Sequence, residues 1–471
     1  MIAVQRSLLL KTAAALLMAF AIQIATPMNP ARATTIERIV SPGGIEAWLV
    51  RDSAVPLVSM EFAFHGGASQ DPADKPGVAT MMAALLDEGA GDLDSATFAD
   101  RLERKAIELR IRAGRDTIRG ALRTLSDNRG EAFELLRLAL NAPRFDAEPV
   151  ERIRAQMMAG LRRATTSPED IASRRWWETA FPGHAYGRPV NGSLDSVPTI
   201  TADDLRTYHK RILARGTLKI GIVGDIDADA AKAMLDQVFG GLPAKAKLNN
   251  VVTMAPQGLG QRISETLAVP QAVVLFGGSG IAREDPDFMA AYVVNHILGG
   301  GSFSSRLYRE VRETRGLAYS VYNSLVWLDH AALFMGATAT RADRVDESIA
   351  IISAEIHRMA EEGPTEDELK NAKAYLTSSY ALGLDTSTKI ATQLVQIQLD
   401  DLGIDYIDRR AGLIDAVTLA DTRRVAKRLF GGGMLVSTVG PAATSVPAPS
   451  AAGTLPAPPA AQPPASGNTV R

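Results

Sequence analysis

Side chains able to perform chemistry are few in this chain of 471 residues. Cysteine is missing, which excludes disulfides, thiolate zinc sites and a cysteine nucleophile. Histidine occurs at six positions, and no two of them lie within ten residues of each other. Because paired histidine ligands on a helix or hairpin stand only a few residues apart, the sequence offers no such pair. The six positions are His65, His184, His209, His296, His330 and His357.

Serine chemistry is not indicated either. The run Gly299-Gly300-Gly301-Ser302 has neither the pattern of a nucleophile elbow nor that of a phosphate-binding loop. Its glycines predict a flexible approach to a helix that is capped by Ser304 or Ser305.

An arginine and a tyrosine follow this loop. Glycine is preferred just beyond a helix C-terminus, so the predicted helix 305–315 ends at Gly316, and residues 317–322 are predicted to form a strand. Arg312 lies in the last helical turn and Tyr319 in the strand. One interpretation is structural: Arg312 offsets the helix dipole or pairs with a carboxylate, and Tyr319 is a half-buried aromatic. The other is that both donate hydrogen bonds to a ligand.

Length and charge bound the class of protein. A chain this long is expected to form two or more domains. Its 51 basic and 53 acidic residues give a net charge of -2, which provides no basic footprint for nucleic acid.

Both ends are expected to lie outside the fold. Residues 1–33 combine a basic start, a short apolar run and the small-x-small site Ala31-Arg32-Ala33, which predicts a secretory signal peptide cleaved after Ala33. The alternative is an uncleaved anchor. Residues 441–471 contain eight prolines and predict a disordered tail, with docking on a proline-binding groove as the alternative. The mature protein is thus expected to be periplasmic and without a stable membrane anchor.

The remaining residues contain the same pattern of predicted strands and helices twice. Strand-like runs at 57–64 and 218–223 have counterparts at 271–276 and 434–440, and the helix start at Thr201 has a counterpart at Thr418. We therefore predict an α+β fold of two homologous domains, each a mainly antiparallel β-sheet flanked by helices. The predicted domains are 36–243 and 262–440, joined by a linker at 244–261.

Four segments resemble the pitrilysin/insulinase family of zinc metallopeptidases, and in particular its processing-peptidase-like branch. Together with the repeat they cover roughly residues 36 to 440. The segment at 299–319 is the most specific of them. The four are 66–68 with 77–79, 181–192, 221–226 and 299–319.

The resemblance implies where a zinc site would be. Active members carry His-x-x-Glu-His on a helix, where residues i and i+4 share one face and can bind one metal ion. Those positions fall on Thr80, Ala83 and Ala84, none of which can bind zinc or act as a base. The family's third ligand is a glutamate shortly before the proline equivalent to Pro168, and residues 152–167 contain no carboxylate. We therefore expect no metal and no cofactor in this chain, and we expect the chain alone to be inactive.

The resemblance also implies a role for the second half. In the family, an Arg–Tyr pair at the positions of Arg312 and Tyr319 binds backbone carbonyls of the peptide. A chain that keeps this pair and lacks the zinc motif resembles the non-catalytic, substrate-binding subunit of a heteromeric zinc endopeptidase. Its expected partners are a peptide and a homologous subunit that carries His-x-x-Glu-His and zinc. The alternatives are a stand-alone peptide-binding or chaperone-like protein and a structural subunit.

Overall fold

The computed structural model describes residues 35–441. The predicted signal peptide and all of the predicted tail except Pro441 lie outside the described residues. These residues form two compact units, each built from separate stretches of the chain. Unit 1 comprises residues 35–161, 184–252 and 373–416, and unit 2 comprises residues 162–183, 253–372 and 417–441.

The strands alternate with helices along the chain. The strands are β1 (Ile36–Val40), β2 (Glu46–Arg51), β3 (Leu57–His65), β4 (Glu108–Ala113), β5 (Thr117–Leu125), β6 (Leu218–Gly224), β7 (Arg262–Thr266), β8 (Gln271–Ser279), β9 (Ala318–Leu328), β10 (Ala331–Arg341) and β11 (Leu435–Gly440).

The helices lie mostly between the strands. They are α1 (Val78–Ala83), α2 (Ser95–Arg104), α3 (Arg129–Asn141), α4 (Ala147–Ala164), α5 (Pro168–Ala180), α6 (Ala202–Ile212), α7 (Ala228–Phe239), α8 (Phe288–Asn295), α9 (Val345–Glu362), α10 (Glu366–Leu382), α11 (Ser387–Leu399), α12 (Tyr406–Asp415) and α13 (Leu419–Phe430). Two wider π-helical stretches occupy His296–Gly300 and Tyr308–Glu313.

Unit 1 is built on a sheet of six strands in the order β1-β2-β6-β3-β5-β4. Strands β2 and β6 are parallel, and the other neighbours are antiparallel. Alternate residues of β3, among them Phe62 and Phe64, point into the main hydrophobic core with side chains of α3 and α7. Phe62 packs edge-to-face on Phe239 of α7, with ring centres 5.7 Å apart.

Helix α11 covers part of the other face of this sheet, where it packs on β3 and β6. The Gln398 side-chain amide donates to the Ile220 carbonyl oxygen at 2.9 Å. A Cβ on Gly221 would lie 2.7 Å from the Ala391 carbonyl oxygen, so glycine is required for this close approach of helix and strand. Strand β3 is consequently buried on both faces over residues 58–64.

Unit 2 has a sheet of five strands in the order β7-β11-β8-β10-β9. Strands β7 and β11 are parallel, and the others are antiparallel. Helix α5 packs on β11 and β8, and the Trp176 indole N–H donates to the Leu435 carbonyl oxygen at 3.1 Å. Helix α5 therefore covers the strands of unit 2 that correspond to those covered by α11 in unit 1.

The strand orders confirm the predicted fold class. Apart from the additional edge strand β1, the two orders correspond: β2, β6, β3, β5 and β4 take the places of β7, β11, β8, β10 and β9, with the parallel pair in the same position. The helix starts repeat as well, because Thr201 with Asp204 and Thr418 with Asp421 each form a capping box. Both units are mainly antiparallel sheets flanked by helices.

The units differ from the predicted domain boundaries at two segments. Residues 162–183, which carry α5, belong to unit 2, and residues 373–416, which carry α11 and α12, belong to unit 1. No helix or strand occurs between Phe239 and Arg262, where the linker is predicted. Among the helices of residues 35–441, none has both the length and the apolar character that a membrane crossing requires.

Candidate functional site

The predicted Arg–Tyr pair lies where a helix ends and strand β9 begins. Ser305 caps the helix through a 3.4 Å hydrogen bond from the Tyr308 backbone N–H to its hydroxyl oxygen. The helix closes at Gly316, whose φ of 59° is left-handed and whose N–H donates to the Arg312 carbonyl oxygen at 2.9 Å. The chain then enters β9, which brings Tyr319 back beside Arg312.

Two tyrosine rings flank the Arg312 side chain. Its guanidinium carbon lies 4.4 Å from the centre of the Tyr319 ring and 4.9 Å from the centre of the Tyr308 ring. Both distances are within the range of cation–π attraction. Cation–π contacts use no N–H hydrogen bond, so the N–H donors of the guanidinium remain available to a ligand. The structure thus brings together the two residues that the sequence singled out.

Arg312 differs from its arginine neighbours on the same helix. The Arg315 guanidinium donates to a Glu310 carboxylate oxygen at 2.6 Å, and Arg309 lies 3.5 Å from the same carboxylate. Hydrogen bonding to Arg315 lowers the pKa of the Glu310 carboxyl. Arg312, by contrast, has no hydrogen bond or ion pair with any residue in the described range 35–441, and the predicted alternative of a carboxylate partner does not hold there.

Tyr319 is not the half-buried aromatic of the structural interpretation. Its side chain is 81% exposed, and within residues 35–441 its hydroxyl has no hydrogen-bond partner. A phenol in this position can donate a hydrogen bond to a ligand. Arg312 and Tyr319 therefore present unused donors on one surface of unit 2.

Two further aromatic residues at this surface were missed by the sequence reasoning. Tyr308 is buried against Arg312, and Phe303, which is 72% exposed, packs edge-to-face on Tyr308 with ring centres 5.0 Å apart. The spacing of Tyr308 and Arg312 by four residues could have indicated their contact, because such residues are neighbours on a helix. No comparable signal precedes Phe303.

An ion pair holds the start of this helix in place. The Arg306 guanidinium donates to both carboxylate oxygens of Glu368, at 2.7 and 2.6 Å, and to the Gly363 carbonyl oxygen at 3.0 Å. Burial alone would raise the pKa of the Glu368 carboxyl, but hydrogen bonds from Arg306 and the Thr365 backbone N–H outweigh it and lower the pKa to about 2.

The positions of the lost zinc motif lie together on α1 and the residue after it. Helix α1 ends at Ala83, and Ala84 is its C-terminal cap. The Thr80 hydroxyl donates to the Val190 carbonyl oxygen at 2.8 Å, and Ala83 is buried in the core. These three side chains supply no metal ligand and no base, so the residues present do not fit a zinc ion.

The start of α1 is fixed by Asp71. Its carboxylate accepts hydrogen bonds from the backbone N–H groups of Gly77 at 2.7 Å and Ala79 at 2.8 Å. Burial raises the pKa of the Asp71 carboxyl to about 7, although the two hydrogen bonds oppose this shift. Asp71 thus serves as a buried cap of this helix.

The part of the chain that the structure describes contains no group of three or more His, Asp or Glu side chains arranged to hold a metal ion. Two histidines contact backbone carbonyl oxygens. His184 contacts the Val252 carbonyl oxygen at 2.7 Å through Nε2, and His209 contacts the Leu140 carbonyl oxygen at 2.9 Å. Burial lowers the pKa of His209, which favours its neutral form.

Known proteins resemble the chain in sequence. Residues 199–376 match the family model described as peptidase M16 inactive domain. A Helicobacter pylori protein named non-peptidase homolog YmxG is 27% identical over 345 residues, which are 70% of this chain and 77% of the relative. An uncharacterized zinc protease from Streptomyces coelicolor is 26% identical over 423 residues, which are 86% of this chain and 90% of the relative.

Solved structures resemble it in fold. A peptidase M16 inactive domain from Pseudomonas fluorescens has a TM-score of 0.82 at 28% identity and covers 88% of this chain and 100% of that chain. A Helicobacter pylori protease has a TM-score of 0.79 at 17% identity and covers 87% of this chain and 100% of that chain. The segment that matches the family model contains Arg312 and Tyr319 but not Thr80, Ala83 or Ala84.

Proposed function

We propose that this chain, which is similar to peptidase M16 inactive domains as its pitrilysin/insulinase resemblance indicated, is the non-catalytic, substrate-binding subunit of a heteromeric zinc endopeptidase. In this proposal a homologous partner carries His-x-x-Glu-His and the zinc ion. This chain contributes Arg312 and Tyr319, which donate hydrogen bonds to the backbone carbonyls of a peptide or an unfolded segment.

The unpaired guanidinium of Arg312 is the observation that carries this proposal. It contacts two tyrosine rings, it has no carboxylate partner within residues 35–441, and one of the rings belongs to the exposed Tyr319. Several fixed donors together with a phenol suit a peptide backbone, because they require carbonyl oxygens and no particular side chain.

A stand-alone peptide-binding or chaperone-like protein is the second candidate. The name of the Helicobacter pylori relative, non-peptidase homolog, favours a chain that works without proteolysis. Both candidates need Arg312 to bind peptide, whereas a purely structural subunit does not. Peptide binding therefore separates the first two from the third, and a zinc-bearing partner separates the first from the second.

We further propose that the protein is exported to the periplasm and that signal peptidase removes residues 1–33. N-terminal sequencing of the protein purified from a periplasmic extract should then begin at Thr34. A first residue of Met1, or recovery in the membrane fraction, would contradict cleavage and support the uncleaved anchor.

The experiment that tests the function uses the purified mature chain and a fluorescein-labelled pool of short random peptides. Arg312→Ala should weaken binding about 10- to 100-fold, because losing one hydrogen bond to a desolvated carbonyl costs about 1–3 kcal/mol. Arg309→Ala is the matched control, since it removes a guanidinium from the same helix that is already close to Glu310. Equal binding by both variants and the wild type would contradict the proposal.

The zinc-bearing partner is tested by adding an exported homologue with His-x-x-Glu-His from the same organism. Cleavage of the peptide pool that requires both chains and is lost in Arg312→Ala supports the heteromeric peptidase. Peptide binding without any two-chain cleavage supports the stand-alone candidate instead.

A further inference from the structure

Four arginines lie at the β4 end of the unit 1 sheet, on the face that α11 covers only in part. Strand β4 is the edge strand, and its Arg110 and Arg112 are two residues apart, so their side chains lie on the same face. The register places Arg112 directly opposite Arg119 of β5, and it places Glu108 opposite Arg123. Helix α11 packs on β3 and β6 of this face.

The pairing of Arg112 with Arg119 works against the fold. Like charges directly opposite each other on neighbouring strands are destabilising. The chain offsets part of this charge, because Arg119 bonds to the Gln396 side chain and lies near the Glu61 carboxylate, and Arg123 forms an ion pair with Glu108. Arg110 and Arg112 are exposed, and neither has a hydrogen bond or ion pair with any of the residues 35–441.

Small side chains lie next to these arginines on the sheet. The residue opposite Arg110 is Ala121, and the residue opposite Arg119 on its other side is Ala63. Side chains two residues apart on a strand stand about 6.5–7 Å from each other, the same repeat that an extended peptide has. An extended chain with carboxylates at alternate positions can therefore meet both arginines at once.

From this arrangement we propose that the strip formed by Arg110, Arg112 and Arg119 binds an acidic polypeptide segment in an extended conformation. Carboxylates suit guanidinium groups because both are planar and pair through two parallel hydrogen bonds. A bound carboxylate also removes the repulsion between Arg112 and Arg119. This surface belongs to unit 1 and is independent of the Arg312 site.

Nucleic acid and anionic membrane are less suited to this strip. Single-stranded nucleic acid is held by aromatic side chains that stack on bases, and the residues paired with Arg110 and Arg119 in the register are Ala121, Ala63 and Arg112, none of them aromatic. A membrane surface is bound by basic residues together with large apolar groups, which this strip also lacks. The chain as a whole carries a net charge of -2.

The test measures binding by fluorescence anisotropy on the full mature chain. The probe is a labelled peptide of alternating Glu and Thr, and the comparison peptide alternates Gln and Thr. The Glu peptide should bind at least about 10-fold more tightly, and high salt should remove the difference, because exposed charges are screened. The double variant R110Q/R112Q should lose the preference, whereas the control R162Q/R163Q, which removes two exposed arginines elsewhere, should keep it.

Each outcome decides the proposal. Arg110 and Arg112 make no hydrogen bond or ion pair with the described residues 35–441, so R110Q/R112Q should fold, and its thermal midpoint is measured to establish this. Equal affinity for both peptides, or an unchanged preference in R110Q/R112Q, would overturn the proposal. So would binding of oligo-dT or of phosphatidylglycerol vesicles that R110Q/R112Q loses while the Glu peptide does not bind at all. Because Arg312→Ala should leave the Glu preference intact, failure here is distinguishable from failure of the proposed function.

Discussion

The guanidinium of Arg312 stacks on the ring of Tyr319, with 4.4 Å between the guanidinium carbon and the ring centre. This contact joins the end of a helix to the second residue of strand β9. Cation–π attraction needs the aromatic ring and not the phenol hydroxyl. The tyrosine consequently has two separable functions, supporting the arginine and donating to a ligand.

Substitutions of Tyr319 should separate these functions. Tyr319→Phe keeps the ring and should weaken peptide binding about 5- to 20-fold by removing one donor. Tyr319→Leu removes the ring as well and should weaken binding further, because Arg312 then loses its support. Since Tyr319 is 81% exposed, neither change should alter the free energy of unfolding by more than about 0.5 kcal/mol. Wild-type affinity in Tyr319→Phe would show that the hydroxyl does not touch the peptide.

Restoring the motif positions should not create a zinc site. We expect the variant T80H/A83E/A84H to hold well under one equivalent of zinc, because residues 152–167 provide no carboxylate as the third ligand. Ala83 is buried, so its replacement by Glu also costs stability, and T80H/A84H serves as the control that keeps Ala83. Metal content is measured on dialysed protein by mass spectrometry. One tightly bound zinc per wild-type chain would contradict the expectation that this chain has no zinc site.

The ion pair of Arg306 with Glu368 should be one of the stronger polar interactions in unit 2. Arg306→Ala leaves the Glu368 carboxylate partly buried without its partner and should lower the free energy of unfolding by about 3 kcal/mol in urea titrations. Arg309→Ala breaks an exposed contact and should cost less than about 1 kcal/mol.

The same pair predicts a pH dependence. The pKa of Glu368 lies near 2 in the fold and near 4.5 when unfolded, so the unfolded state binds the proton more readily. Its contribution to stability is present above pH 4.5 and is lost as the pH falls towards 2. Glu368→Gln should therefore be less stable than the wild type at pH 6, and this difference should shrink as the pH approaches 2. A pH-independent difference would exclude the carboxylate as its source.

Glu61 should act in the opposite direction. Burial under α11 raises the pKa of the Glu61 carboxyl from 4.5 to about 7, although the charge of Arg119 opposes the shift. The folded state then binds the proton more readily, so this contribution is full below pH 4.5 and is lost as the pH rises through 7. Glu61→Gln should stabilise the chain relative to the wild type by about 1–3 kcal/mol at pH 8 and by much less at pH 4.

Urea titrations at both values of pH test this expectation. Glu366→Gln is the matched control, because it changes an exposed glutamate. If the wild type and Glu61→Gln respond identically to pH, the Glu61 carboxyl does not titrate under α11.

Local sequence patterns predicted much of this fold. Alternating and apolar runs located the paired strands, and threonine followed three residues later by aspartate marked the helix starts at Thr201 and Thr418. The helix stop at Gly316 placed Arg312 and Tyr319 on consecutive elements. These features depend on neighbours in the chain, which is why the sequence contains them.

Features that depend on distant parts of the chain were not predictable in this way. Nothing in the periodicity of α5 or α11 indicates which sheet each helix covers, so the predicted boundaries followed the chain order. The contact between Phe303 and Tyr308 and the opposition of Arg112 and Arg119 depend on side-chain direction and strand register. Neither feature can be predicted before the strand register and the loop conformation are known.

The origin of α11 late in the chain has a consequence for protein synthesis. The last strand of the unit 1 sheet ends at Gly224, whereas the helix that covers it ends at Leu399. At elongation rates of about 5–20 residues per second, the ribosome needs roughly 10 s or more to make the intervening chain. During that delay the sheet face on which α11 later packs exposes small and polar groups such as Ser59, Glu61 and Gly221, which do not promote aggregation. We expect unit 1 to be cleaved readily by added protease in nascent chains arrested before Ser387, and unit 1 alone to become resistant once the chain up to Asp415 has left the ribosome.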